Sequence, residues 1–130
     1  MVTNIPTGGI CQTFHLMSAT AFEVEGIAYY LGEYTITELT KNEMVVYLNR
    51  HNARFFYWAV DKSGNGVWAI GPNRRLEWAR FTNRYCSKSE NPANGNCKYG
   101  WFYYNAVSQE WKYDISMRIK CTNYVPNSIV

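Results

Sequence analysis

The stretch "DKSGNGVW", residues 61–68, places side-chain oxygens at Asp61, Ser63 and Asn65 and a glycine at position 66. That is the alternate-position pattern of the first half of an EF-hand calcium loop. Such a loop also needs a bidentate Glu at its twelfth position and further carboxylates, because anionic oxygens hold a hard divalent cation. Here the twelfth position is Pro72, Asp61 is the sole acid, and Lys62 brings a competing charge. Flanked by the strand-like "FFYWAV" and "VWAI", the stretch reads as a hairpin turn in which Gly64 and Gly66 supply positive φ. No metal site and no cofactor are expected.

Cysteine chemistry is the next candidate. Cys11, Cys86, Cys97 and Cys121 show no C-x-x-C spacing, and only His15 and His51 could complete a mixed metal site. Disulfides are the better reading, and they imply an oxidising compartment. Of the three pairings possible in principle, Cys11 with Cys121 and Cys86 with Cys97 are favoured. The first ties the two ends of the domain together, and the second closes a short, turn-rich loop. On the chain-entropy model the short loop contributes about 3 kcal/mol and the long one about 4 to 5.

With every thiol paired, no thiol nucleophile remains. His15, beside the first cysteine in an apolar stretch, reads as a hydrogen-bonded structural histidine, and His51 in "NRHNAR" reads as an exposed turn residue. A glycosidase needs two acids flanking the scissile bond. The chain has two Asp and eight Glu, of which Glu23, Glu25, Glu38 and Glu43 look like outward strand or turn positions. Glu33, Glu77 and Glu110 lie among aromatics and are the best remaining acids. The expectation is a non-catalytic protein, with a small glycan hydrolase as the second alternative.

Aromatic residues are in surplus: five Trp, eleven Tyr and six Phe in 130 residues. A core of this size does not easily enclose so many rings, and each Tyr hydroxyl seeks a polar partner or water. Exposed Trp and Tyr rings stack on the apolar faces of sugars, while neighbouring Asn, Arg and Glu bond the hydroxyls. The same residue types also suit a protein partner. The ligand-binding residues chosen on this ground are Lys98, Tyr99, Trp101, Tyr103 and Asn105, in and after the short disulfide loop, since recognition is carried by loops on a rigid scaffold. Trp78 and Arg80 in "LEWARF" are added because they share one strand parity.

Charge narrows the partners. Charged residues are 18% of the chain, below the roughly 25% of typical soluble domains. The net charge of +3 is scattered, and even "GPNRRLEWARFTNR", with Arg74, Arg75, Arg80 and Arg84, lacks the concentrated stripe of a phosphate-tracking surface. Nucleic acid is not an expected partner.

The elements that position these residues are strands. "TAFEVEG", "GEYTITEL", "MVVYLN", "ARFFYWAV", "GVWAIGP", "LEWARFT" and "GWFYYNAV" are short aromatic and β-branched runs separated by turn clusters. In "WKYDISMRIKC", Trp111, Tyr113, Ile115, Met117, Ile119 and Cys121 share one parity, and the polar residues share the other. That is a strand with the first set facing the core. "ITELTKNEMV" admits either a short helical turn or a strand, turn and strand. The expected fold is all-β: an antiparallel β-sandwich or small barrel of about eight short strands, stapled by two disulfides. One domain spans 1–130, with its core at about 11–121 and flexible or docked tails.

The order "GEYTI", "VVYLNRHN", "FFYWAV", "GVWAIGP", "GWFYYN" and "EWKYDISMRIKC" resembles an extracellular all-β module of multidomain secreted proteins of invertebrates and protists. The resemblance runs from Phe22 to Cys121 and rests on spaced aromatics, the W-x-I-G at Trp68–Gly71 and the W-x-x-D at Trp111–Asp114. It implies a secreted all-β module, and it transfers no activity and no functional residue.

No apolar window approaches the roughly 20 residues of a membrane-spanning helix, and "MVTNIPTGGI" lacks the pattern of a secretory leader. There is no N-x-S/T sequon. With the disulfides implying an oxidising compartment, the chain reads as a mature or recombinant form of a secreted binding module. Its expected partner is a glycan or an extracellular protein, and the main rival is a structural, self-assembling protein that forms homo-oligomers.

Overall fold

The computed structural model describes residues 9–20, 24, 26–94, 97 and 99–126. It contains nine strands: β1 (Gly9–Met17), β2 (Gly32–Lys41), β3 (Met44–Asn49), β4 (Arg54–Val60), β5 (Gly66–Gly71), β6 (Phe81–Asn83), β7 (Trp101–Asn105), β8 (Glu110–Tyr113) and β9 (Arg118–Pro126). All pair antiparallel in one sheet of order β8-β7-β6-β5-β4-β3-β2-β1-β9. Eight strands thus form a meander, and the ninth returns to lie beside the first.

This topology dictates the shape. β8 and β9 occupy opposite edges, yet only Asp114–Met117 join them. A few extended residues reach no more than about 3.5 Å each, so the sheet must curl until its edges approach. The result is a half-barrel of nine strands from a single sheet, where a β-sandwich or small barrel of about eight strands is the sequence expectation.

The observed strands differ from the expected ones in four places. β1 was not anticipated, because its register against β9 shifts between Cys11 and Phe14. That bulge sets both Cys11 and Phe14 in the core three positions apart, which hides the two-residue period. "TAFEVEG" contributes no strand among its described residues, and Ala21–Glu23 and Glu25 lie outside them. "WKYDISMRIKC" is not one strand but parts of two, β8 and β9, divided at Asp114–Met117. "LEWARFT" shortens to β6 behind a 3-10 turn at Leu76–Trp78.

The concave side holds the main core, with Phe14, Tyr34, Tyr47, Phe56, Trp68, Phe81 and Trp101 all nearly inaccessible. Rings meet edge-on, stacked or tilted at centroid distances of 4.9 to 6.2 Å, as in the Phe14–Phe56 and Phe56–Trp101 pairs. Such pairs add about 1 kcal/mol each beyond area burial. Two of the buried hydroxyls find acceptors here: Tyr34 donates to the Tyr30 carbonyl at 2.6 Å and Tyr47 to the Cys11 carbonyl.

Both predicted disulfides are present, Cys11–Cys121 between β1 and β9 and Cys86–Cys97 across the loop after β6. That loop turns inward. Ala93 is fully buried in the core, Asn94 accepts from the Cys11 amide at 2.9 Å, and the Trp68 indole donates to the Ser87 carbonyl at 2.9 Å. The stapled loop is therefore a plug over the core. Residues Thr122–Pro126 of the expected tail belong to β9. Among the described residues, no helix is long and apolar enough to cross a membrane.

The opening stretch closes the β4–β5 hairpin. Asp61 Oδ1 accepts from the amides of Ser63 and Asn65 at 2.9 and 3.0 Å, so the carboxylate caps its own turn. Gly64 has φ +85°, but Gly66 does not adopt positive φ. A Cβ at Gly66 would lie 1.9 Å from the Trp58 ring, so glycine is required there for close approach. The "ITELTKNEMV" alternatives resolve to strand, turn and strand, with Asn42 and Glu43 both at positive φ between β2 and β3.

Candidate functional site

The convex face of the sheet has three zones. On β1 and β2 it is polar: His15, read from the sequence as a hydrogen-bonded structural histidine, is exposed with Nε2 3.7 Å from Glu33. A cleft of about 450 Å³ nearby is lined by Glu33, Leu48, Arg50 and His51. Over β3 to β5, Val46, Tyr57, Ala59, Val67 and Ala69 form a second buried cluster, with Ala79 among them and Leu76 packed against it. Burial pushes the Tyr57 phenol up, and the negative charge of Glu77 pushes in the same direction. The third zone, on β6 to β8, is aromatic and open.

Register builds this third zone in two rows. Thr82, Phe102 and Tyr113 are directly opposed across β6, β7 and β8. In the second row Tyr104 opposes Trp111, and Arg80 lies beside Tyr104, which donates its amide to the Arg80 carbonyl at 2.9 Å. Ring centroids are 5.2 Å apart for Phe102–Tyr113 and 5.5 Å for Tyr104–Trp111. The Arg80 guanidinium sits 5.4 Å from the Tyr104 centroid, a cation–π contact. It is anchored there because Nη1 donates to the carbonyls of Trp78 and Ala79 at 3.1 and 3.2 Å.

Trp78 is 48% exposed, and Trp111 and Tyr113 are each 44% exposed. Trp111 stands between two clefts. One, of about 290 Å³, is lined by Glu77, Trp78, Arg80 and Tyr104. The other, of about 240 Å³, is lined by Thr82, Arg84 and Phe102. Rings, guanidinium groups and one carboxylate therefore converge on a single surface.

Of the residues expected to bind ligand, Trp78 and Arg80 lie here together. They meet through the 3-10 turn and the extended backbone after it, and Trp78 is not in a strand. Trp101 and Tyr103 face the other way and are core residues, 1% and 5% exposed. Their expected exposure is corrected by the parity of β7: the outward rings of "WFYYN" are Phe102 and Tyr104. Asn105 caps the β7–β8 turn, accepting from the amides of Val107 and Ser108 at 3.0 and 3.1 Å. Tyr99 is exposed, just before β7, and its carbonyl accepts from Asn83 at 3.0 Å. Lys98 lies outside the described residues.

Trp111 and Tyr113 were expected in the core and are instead the outward rings of β8. The signal available in the sequence was the pair of aromatic parities in "WFYYN", which requires some rings to face away from the core. The acids are not brought together. Glu77 lines the outer cleft, whereas Glu110 pairs opposite Asn105, on the other parity of β8 from Trp111, with Lys112 at 3.7 Å. No protein-family model, curated protein or solved structure matches this chain.

Proposed function

We propose that the chain is a secreted, non-catalytic carbohydrate-binding module whose sugar-stacking surface is the convex face of β6 to β8. The observation that carries this reading is one cleft in which exposed Trp78 and Trp111 meet half-buried Tyr104 and Arg80 beside Glu77. Rings of this kind offer π faces to sugar C–H groups, and the guanidinium and carboxylate supply a donor and an acceptor for hydroxyls. Arg80 and Tyr104 are held by backbone and cation–π contacts before any ligand arrives, so little ordering cost attends binding. Two disulfides support an oxidising, extracellular setting. Glu77 lines the cleft beside Trp111 whereas Glu110 sits on the other parity of β8 from that ring, which supports a binding rather than a hydrolytic role.

Calorimetric titration against a glycan panel tests the reading. Binding should occur and fall by about 5- to 150-fold in Trp111→Ala, since stacking on one ring contributes on the order of 1–3 kcal/mol in comparable recognition. Absence of binding across the panel, or binding indifferent to Trp111→Ala, would sink it. The second reading is self-association through β8, an open edge strand carrying exposed aromatics. That alternative requires a sedimentation coefficient that rises with protein concentration and collapses in Trp111→Ala.

A further inference from the structure

The two clefts beside Trp111 differ in charge. On the Arg80 side, Glu77 lines the same cleft and the guanidinium is partly used on Trp78, Ala79 and Tyr104. On the other side, Thr82, Arg84, Phe102 and Trp111 supply a cation, a hydroxyl and two rings with no carboxylate. Among the described residues, no carboxylate lies within ion-pair distance of Arg80 or Arg84. Both clefts fall below the roughly 300–1,000 Å³ of drug-sized pockets, the scale of a single ring rather than a chain.

Resting on the carbohydrate reading, we propose that Trp111 divides the surface into two adjacent subsites and that the Arg84 cleft takes an anionic sugar, one bearing a carboxylate or sulfate. The guanidinium presents several donors in a fixed plane that matches an oxyanion with two parallel hydrogen bonds. Phe102 and Trp111 flank it and reduce local solvation, while Glu77 keeps the neighbouring subsite for neutral hydroxyls. Rings with a guanidinium also stack nucleobases. The carboxylate of Glu77 in the adjoining cleft opposes the track of phosphates that such a ligand would bring.

The test uses the full chain and four probes: an oligogalacturonate, its carboxyl-reduced counterpart, a sulfated form of that counterpart, and a single-stranded oligonucleotide. At low salt the wild type should prefer the uronate or the sulfated probe over the reduced one by about tenfold, the scale of one charge-assisted contact. Which of the two is preferred identifies the anion. Arg84→Gln should bring the ratio close to one with neutral binding kept. Arg50→Gln, which removes the same charge from the turn after β3, should leave the ratio intact. Melting temperatures verify that both variants fold. A wild type with no anionic preference, or a preference that survives Arg84→Gln, overturns the inference while leaving the carbohydrate reading in place. Failure of every sugar to bind overturns both, as does tighter binding of the oligonucleotide.

Discussion

β8 and β9 arise from one alternating run of sequence and meet opposite fates. In β9 and the turn before it, Met117 is buried and Ile119 and Cys121 pack against the core. In β8, residues of the same parity, Trp111 and Tyr113, project from the convex face. Their polar neighbours reverse accordingly: Lys112 pairs opposite the core residue Tyr103. An inward charge on an edge strand discourages pairing with another chain, so β8 carries charge on one side and open rings on the other.

The switch occurs at Asp114. Its buried carboxylate accepts from the Ser18 hydroxyl and from the amide and hydroxyl of Ser116 at 2.9 and 2.6 Å, and its amide donates to the Trp101 carbonyl at 2.9 Å. Ser116 Oγ in turn accepts from the Ala19 amide at 3.0 Å. The corner is thereby pinned to the end of β1. A polar group read as outward by alternation is the buried anchor that lets the chain leave one edge of the sheet and enter the other.

The sharpest way to break this contrast is to release β9. Replacing Cys11 and Cys121 together by Ser should destabilise the fold by about 4 to 5 kcal/mol, because the bridge closes nearly the whole chain into a loop. Denaturant melts measure this, and a loss below about 1 kcal/mol would mean that β9 is held by its ladder and packing alone.

Next in size is a matched pair. Met117→Ala should cost about 2 to 5 kcal/mol as a core cavity, whereas Trp111→Ala should cost about 1 kcal/mol or less, the scale of one exposed ring pair. Equal losses in the two melts would contradict the opposite facing of the strands. A smaller effect concerns the plug beside β9, which Lys88 ties to the β2–β3 turn by donating to Glu43 at 2.9 Å. That hydrogen bond, then the ammonium charge, holds the Glu43 carboxyl below its ordinary value. A depressed carboxylate contributes stability above the usual Glu range, which is lost as pH falls through the folded value. Lys88→Met should therefore flatten the acid limb of the melting-temperature profile slightly, and 0.5 M salt should do the same to the wild type. An unchanged acid limb in Lys88→Met would show that the tie contributes nothing.

Much of the scaffold was legible in the residues. Even cysteines without metal spacing led to both disulfides. Short aromatic and β-branched runs with Gly, Asn and Pro punctuation led to antiparallel strands, and the acid-poor loop at Asp61 led to a hairpin. These are local properties, set by side-chain chemistry and by backbone conformations available within a few residues. The candidate site was half legible: Trp78 and Arg80 were singled out, but Trp101 and Tyr103 were preferred to Phe102 and Tyr104.

Which face of an aromatic run becomes core is not a local property. In β7 both parities carry rings, so alternation names two faces and leaves their order open until the sheet curls and one of them is enclosed. The same holds for the division of "WKYDISMRIKC", where a carboxylate buried by a serine 96 residues away converts one strand into two edges. The sequence alone determined an all-β, disulfide-stapled chain with more rings than a core takes in. Only the curl of the tertiary structure decided that much of the surplus lies on and beside β6 to β8, because closure of a sheet is set by contacts between residues far apart in the chain.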